Sequence, residues 1–334
     1  MNVSYPEYYE RFRCLAGACP DSCCKEWAVA IDEASAEYYR SLPGALGNAL
    51  RASLREEDGD TILALTEDRR CPMWRCDGLC RIQAELGEQA LCHTCSQFPR
   101  LRHDYGDFAE LGLELSCPEA ARLILDCPQA QTVTVTQAGP GEDPDYDPDA
   151  MSILLRSRKE ALRLLSGAKY TPGEALAILL LYAYRVQEEL DGGEYAEFTP
   201  EADLKRAKSI AGGGDGDALL SIYRNLEILT HQWGHLLSSP SGASWERKHL
   251  ALARYFVERY WLQAVSDLDL ICRVKFLLAS CLVIKLLGGE PAQTAQLYSK
   301  EIENDPDNVE ALLDAAYTEP ALADIKLLDL LLSD

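Results

Sequence analysis

Basic residues are scarce in this chain. Lys and Arg total 32 against 54 Asp and Glu, a formal net charge of -22. Phosphate neutralisation needs clustered positive charge, so this balance argues against a nucleic-acid partner and against docking on an anionic membrane. Long apolar runs are missing as well. No stretch approaches the roughly 18 uninterrupted apolar residues of a membrane span. The longest, residues 175–186 and 274–287, read as buried core helices, and the second is broken by Lys275 and Lys285. Residues 1–13 are polar, rich in Tyr and Glu, with no apolar leader segment, so a cytoplasmic location is expected.

Familiar reaction motifs are also lacking. Without a G-x-S-x-G elbow, hydrolase chemistry has no support. The glycine-rich stretch 211–217 (AGGGDGD) follows a charged helical segment rather than a strand, so it reads as an interhelical loop and not as a dinucleotide site. His231 and His235 stand one helical turn apart, but the Glu of a zincin motif and a third ligand are absent. Residues 298–317 look like half a tetratricopeptide unit, with no second copy to stack on.

Cysteine is what the chain has in excess. Of 13 cysteines, eleven lie between Cys14 and Cys127. They fall into three groups: Cys14, Cys19, Cys23 and Cys24; Cys71, Cys76 and Cys80; Cys92 and Cys95, with Cys117 and Cys127 beyond. A secreted disulfide scaffold would be shorter and carry a leader, so metal or Fe–S ligation is the expectation. Thiolates suit soft metals, and close pairs let one short loop give two ligands. One clean CxxC (Cys92, Cys95) beside a CC pair fits a zinc ribbon poorly. Cys76, Cys92 and Cys127 are the most dispensable of the eleven, and Cys272 and Cys281 read as small buried hydrophobes.

The 334 residues suggest two domains at roughly 100–200 residues each, and 47% apolar content allows a large core. The expected fold is mainly α. A small cysteine-rich α+β domain holding a metal centre spans residues 1–136, a linker 137–150, and an all-helical domain 151–334. In the first part, residues 27–31 (WAVAI) and 132–136 (TVTVT) read as strands. Residues 32–42 read as a helix that Ser35 could begin, and 81–90 as another. Beyond the Gly- and Pro-broken linker, apolar spacing of three and four predicts helices over 153–165, 174–190, 218–237, 245–265 and 270–287, with shorter ones over 292–332. The helix over 245–265 carries Tyr255, Phe256, Tyr260 and Trp261. These read as core packing or, alternatively, as an aromatic wall for a cation. Glu301 and Glu303 sit in an unusually polar segment, for which a solvated face is the plain explanation.

Several stretches resemble flagellin lysine N-methylases: residues 11–32 (RFRCLAGACPDSCCKEWAVAID), 78–82 (GLCRI), 91–100 (LCHTCSQFPR), 115–121 (LSCPEAA) and 298–312 (YSKEIENDPDNVEALL). The amino-terminal motifs are also similar to a wider group of zinc- or iron-chelating domains. The resemblance implies a bacterial enzyme with S-adenosylmethionine (SAM) as methyl donor and flagellin lysines as acceptor. It implies Cys14, Cys19, Cys23, Cys24, Cys71, Cys80, Cys95 and Cys117 as ligands of a [4Fe–4S] cluster, or alternatively of zinc. Tyr255, Tyr260, Glu301 and Glu303 are the candidate catalytic residues. The alternatives are a non-enzymatic iron or zinc carrier, and an Fe–S redox protein with a helical partner-binding domain.

Overall fold

The computed structural model describes residues 1–57, 59–137 and 143–333. It is mainly helical, with two small sheets confined to the amino-terminal part. The first sheet has the order β5-β6-β1-β7. Strand β1 (Asn2–Pro6) runs parallel to β6 (Phe108–Leu113) and antiparallel to β7 (Thr132–Thr136), placing Val3 opposite both Ala109 and Val135. Strand β5 (Arg100–Asp104) closes one edge, antiparallel to β6. The second sheet, β2-β4-β3, joins β2 (Val29–Ala30), β3 (Leu54–Glu57) and β4 (Asp60–Leu63).

Two hydrophobic clusters organise the chain. The smaller gathers Val29, Ile31, Tyr39, Leu50 and Met73 around the second sheet and helices α1 (Glu33–Ser41) and α2 (Gly44–Ser53). The larger runs from Tyr8 and Phe12 through Leu115 to Leu331. The first sheet and helix α5 (Pro118–Leu125) therefore share a core with the carboxy-terminal helices. These include α6 (Pro148–Ser166), α7 (Pro172–Leu190), α11 (Arg247–Tyr260) and α12 (Leu270–Leu287). Helix α12 is enclosed on every face, and its two lysines reach backbone carbonyls: Lys275 donates to Ala316 and Lys285 to Ser333. Among the described residues no helix is long and apolar enough to cross a membrane.

Several boundaries differ from expectation. Asp32, not Ser35, caps α1: its carboxylate accepts the Ser35 N–H at 3.0 Å. The helix expected over 81–90 stops at Leu86, because Gly87 turns to φ 89° before a short 3₁₀ turn. The helix expected over 218–237 is two, α9 (Gly216–Arg224) and α10 (His231–Ser238). Side chains from the carboxy-terminal part take up the amides between them: Asn308 Oδ1 accepts from Glu227 N (3.1 Å) and Glu301 from Leu229 N (2.8 Å), while Thr230 caps α10. The 245–265 segment is α11 followed by a 3₁₀ turn, Trp261–Val265. Strands β1, β3, β4, β5 and β6 were not expected; they are short and mostly polar on one face, which blurs their alternation. Of the expected linker, residues 138–142 lie outside the described residues, and α6 begins at Pro148.

Candidate functional site

Most of the amino-terminal thiols come from loops that approach one another. The loop from Cys14 to Cys24 folds around a 3₁₀ turn, Ala16–Ala18, and abuts the loop before Cys80. A Cβ on Gly78, which adopts φ 80°, would stand 3.1 Å from Gly17 Cα, so this approach needs a glycine. Cys71 N donates to Cys24 O at 2.8 Å, and Trp27 Nε1 to Cys23 O at 2.6 Å, which fixes the CC pair. The sulfurs interact in a group of three and a pair. Hydrogen bonds from the Cys23 and Cys71 thiols hold Cys24 well below the ordinary thiol range and push its two donors up. Cys92 and Cys95 form a similar pair, with Cys92 lowered by the Cys95 thiol. Cys80 and Cys95 lie in electrostatic range of Cys24, and Cys117 in range of Cys14 and Cys19.

No three His, Cys, Asp or Glu side chains among the described residues stand close enough to enclose an ion as they are. The donor chemistry nevertheless suits a soft metal, because every shared thiol proton is one that a cation replaces. Cys92, set aside on sequence grounds, stands within the group. Cys76 is exposed, and Cys127 Sγ accepts from Arg11 at 2.7 Å instead. Cys272 and Cys281 are buried in α12.

Two side chains from the helical part anchor the first cysteine loop. Lys300 pairs with Asp21 at 3.2 Å and Glu26 at 2.6 Å. Gln296 Nε2 donates at 2.9 Å both to Asp21 and to the carbonyl of Ser116, beside Cys117. Lys300 belongs to a buried π-helical turn, Ser299–Glu303, that follows α13 (Pro291–Tyr298). The turn corrects the expectation of a solvated face: Glu301 is 0% and Glu303 8% exposed.

The π turn brings Glu303 to the aromatics of α11. Tyr255 donates to both Glu303 oxygens at 3.1 Å and Tyr260 to Oε1 at 2.8 Å. Arg259 completes the cluster. Its Nη1 donates to Tyr255 Oη at 2.5 Å and lies 3.3 Å from Glu303, and its Nη2 is 3.9 Å from Glu114. Burial drives both phenols well above their usual range, with Glu303 pushing the same way, so both remain O–H donors. Burial opposes the Arg259 charge, but Glu303 and the two phenols outweigh it. Burial raises the Glu114 carboxyl. Glu301 faces elsewhere: one oxygen accepts Leu229 N and the other has no hydrogen-bond partner among the described residues. The structure thus unites Tyr255, Tyr260 and Glu303 and leaves Glu301 on the α9–α10 connection. Arg259 and Glu114 were missed in the sequence, where nothing marks a buried charge whose partners are distant in the chain. His231 and His235 are a surface pair, and the glycine-rich loop leads into α9.

Comparison with known proteins adds what geometry alone does not. The chain is 32% identical over 146 residues to the flagellar biosynthetic protein FliU of Salmonella muenchen, covering 40% of this chain and 82% of that protein. The chain belongs to the flagellin lysine N-methylase family. Two family members named lysine-N-methylase, from Salmonella typhimurium and Salmonella choleraesuis, are 32% and 31% identical over 147 residues. Those matches span 40% of this chain but only 35% of each methylase. No family model matches the chain, and no solved structure does.

Proposed function

We propose that this protein is a SAM-dependent lysine N-methyltransferase acting on flagellin in the bacterial cytoplasm. The observation that carries this is the similarity to two proteins named lysine-N-methylase, with a flagellar biosynthetic protein beside them. SAM would supply an electrophilic methyl group on a sulfonium, and catalysis of such an in-line displacement is mainly positioning. The acceptor amine must be neutral to react, although a free lysine holds its proton to a pKa of about 10.4. Tyr255, Tyr260 and Glu303 would orient the amine, with Arg259 holding the carboxylate in place. Glu301 would act one step removed, by holding the α9–α10 connection. The buried setting strengthens each of these contacts relative to water.

Cys14, Cys19, Cys23, Cys24, Cys71, Cys80, Cys95 and Cys117 would supply the thiolates, four of them to a given centre. A [4Fe–4S] cluster is the first choice and zinc the second. Such a centre would fix the amino-terminal loops against α13 through Asp21, Gln296 and Lys300. Incubating metal-replete protein with SAM and flagellin, then mapping peptides by mass spectrometry, tests the proposal. Lysine-containing peptides are expected to gain one methylene mass per transfer. Unmodified flagellin would refute it.

A further inference from the structure

A cavity of about 80 Å³ lies between the first sheet and helices α6 and α11. Pro6, Leu101, Leu113 and Leu162 contribute apolar lining, and His103, Glu110, Arg158, Tyr255, Glu258 and Arg259 polar lining. An apolar wall with a few convergent polar groups is the ordinary character of a small-ligand site. The volume suits an extended aliphatic side chain better than a whole nucleoside.

The charged groups at this cavity are already engaged. Arg158 makes two bonds to Glu110, at 2.7 and 2.5 Å. Arg259 is held by Tyr255 and Glu303, and Glu258 by Arg254 at 2.9 Å. Neither guanidinium is left to recruit an anion. His103 differs. Strand alternation turns Leu101 and His103 inward, while Arg102 and Asp104 pair outside at 2.7 Å. The Nε2 atom of His103 is buried without a hydrogen-bond partner among the described residues. Burial, and then the nearby Arg259, lower the affinity of this imidazole for a proton. The Nε2 of His103 is therefore an unmet polar atom among the described residues, an acceptor when the ring proton sits on Nδ1, while the carboxylates of Glu110 and Glu258 balance the two guanidiniums of the lining.

We propose that this cavity receives the side chain of the substrate lysine, and that His103 Nε2 accepts the proton of its ammonium. The assignment rests on the methyltransferase reading. An N–H bond of the ammonium breaks, and the proton passes to Nε2, giving an imidazolium. The freed lone pair attacks the methyl carbon of the sulfonium donor. The N–C bond forms as the S–C bond breaks, its electron pair stays on sulfur as a neutral thioether, and the methylated nitrogen carries the positive charge. The imidazolium then returns its proton to solvent. The other ionisable groups facing the cavity are Tyr5 on β1, Tyr8, Glu110 on β6, Arg158 on α6, and Tyr255, Glu258 and Arg259 on α11.

The test uses the intact protein with isotope-labelled histidine, followed by NMR. Titration with n-butylamine is expected to shift one imidazole signal saturably, and that signal is absent from both His103→Gln and His103→Asn. Butyrate is expected to leave it unmoved. A butyrate response without an amine response makes this an anion site and overturns the proposal. In flagellin methylation, His103→Gln is expected to lower kcat on the order of a hundred-fold with little change in KM. The wild-type acid limb of kcat/KM, below the ordinary imidazole value of about 6.5, is expected to vanish in that variant. A folded variant with unchanged kcat and pH profile overturns the role of His103. Butylamine binding in a protein that transfers no methyl group sinks the enzymatic reading and leaves an amine site. Methyl transfer without butylamine binding does the reverse.

Discussion

Glu303 and Arg259 form a buried pair in which neither charge can be removed alone without cost. Replacing Glu303 by Ala leaves the guanidinium of Arg259 with only the more distant Glu114, at 3.9 Å, as counter-charge, and breaking such a buried pair costs up to about 3–5 kcal/mol. Tyr260→Phe deletes one phenol–carboxylate hydrogen bond and is expected to cost less, about 1–3 kcal/mol. Urea denaturation of the two single variants and the double variant checks both. The double is expected to lose less than the sum, because Tyr260 has no carboxylate to donate to once Glu303 is gone. At this scale the sequence was only partly legible. The aromatic positions of α11 follow from helical spacing, and Glu303 was marked by its polar surroundings. Arg259 and His103 carried no signal, because a charged or titratable residue becomes informative only when distant segments bury it.

Helices were easier to read than strands, and the reason lies in how each element buries its surface. Helices α7 and α12 show long apolar patterns because α7 is largely, and α12 almost wholly, enclosed. Strands β5 (RLRHD) and β6 (FAELGL) are short, and their inward positions include His103 and Glu110, so period-two alternation is masked by the polar cavity they line. The break between α9 and α10 was illegible for another cause: the side chains that satisfy its backbone, Glu301 and Asn308, lie far downstream. One contact between elements is unusually intolerant. A Cβ on Gly173, at the start of α7, would fall 1.9 Å from the carbonyl oxygen of Leu331 in α15 (Asp324–Leu332). Gly173→Ala is therefore expected to push α15 off α7 and cost about 1–3 kcal/mol, the usual range for overpacking. A lowered denaturation midpoint checks this, and an unchanged one contradicts the packing described.

For the molecule as a whole, the thiol-bearing loops and the helical body are tied through Asp21, Gln296 and Lys300, which places the cysteine loops and the Glu303 cluster on one continuous scaffold. The clustering of cysteines was plain in the sequence. Their pairing was not, since Cys24 meets Cys71 only through the fold. Anaerobically prepared protein is expected to contain iron, or zinc, by elemental analysis, with visible absorption if a cluster is present. Replacing Cys24 and Cys71 by Ser is expected to lower both the metal content and Tm, because binding to the folded state alone stabilises it. Metal-free protein with the same Tm as the metal-replete form would contradict the proposed centre. The account as a whole turns on methyl transfer. Its most direct measurement follows labelled methyl groups from SAM into flagellin in the presence of the metal-replete protein. Label in the ε-amine of flagellin lysines, incorporated far more slowly by the His103→Gln and Glu303→Gln variants, is the predicted result. Label that stays entirely in SAM with the wild-type protein would contradict it.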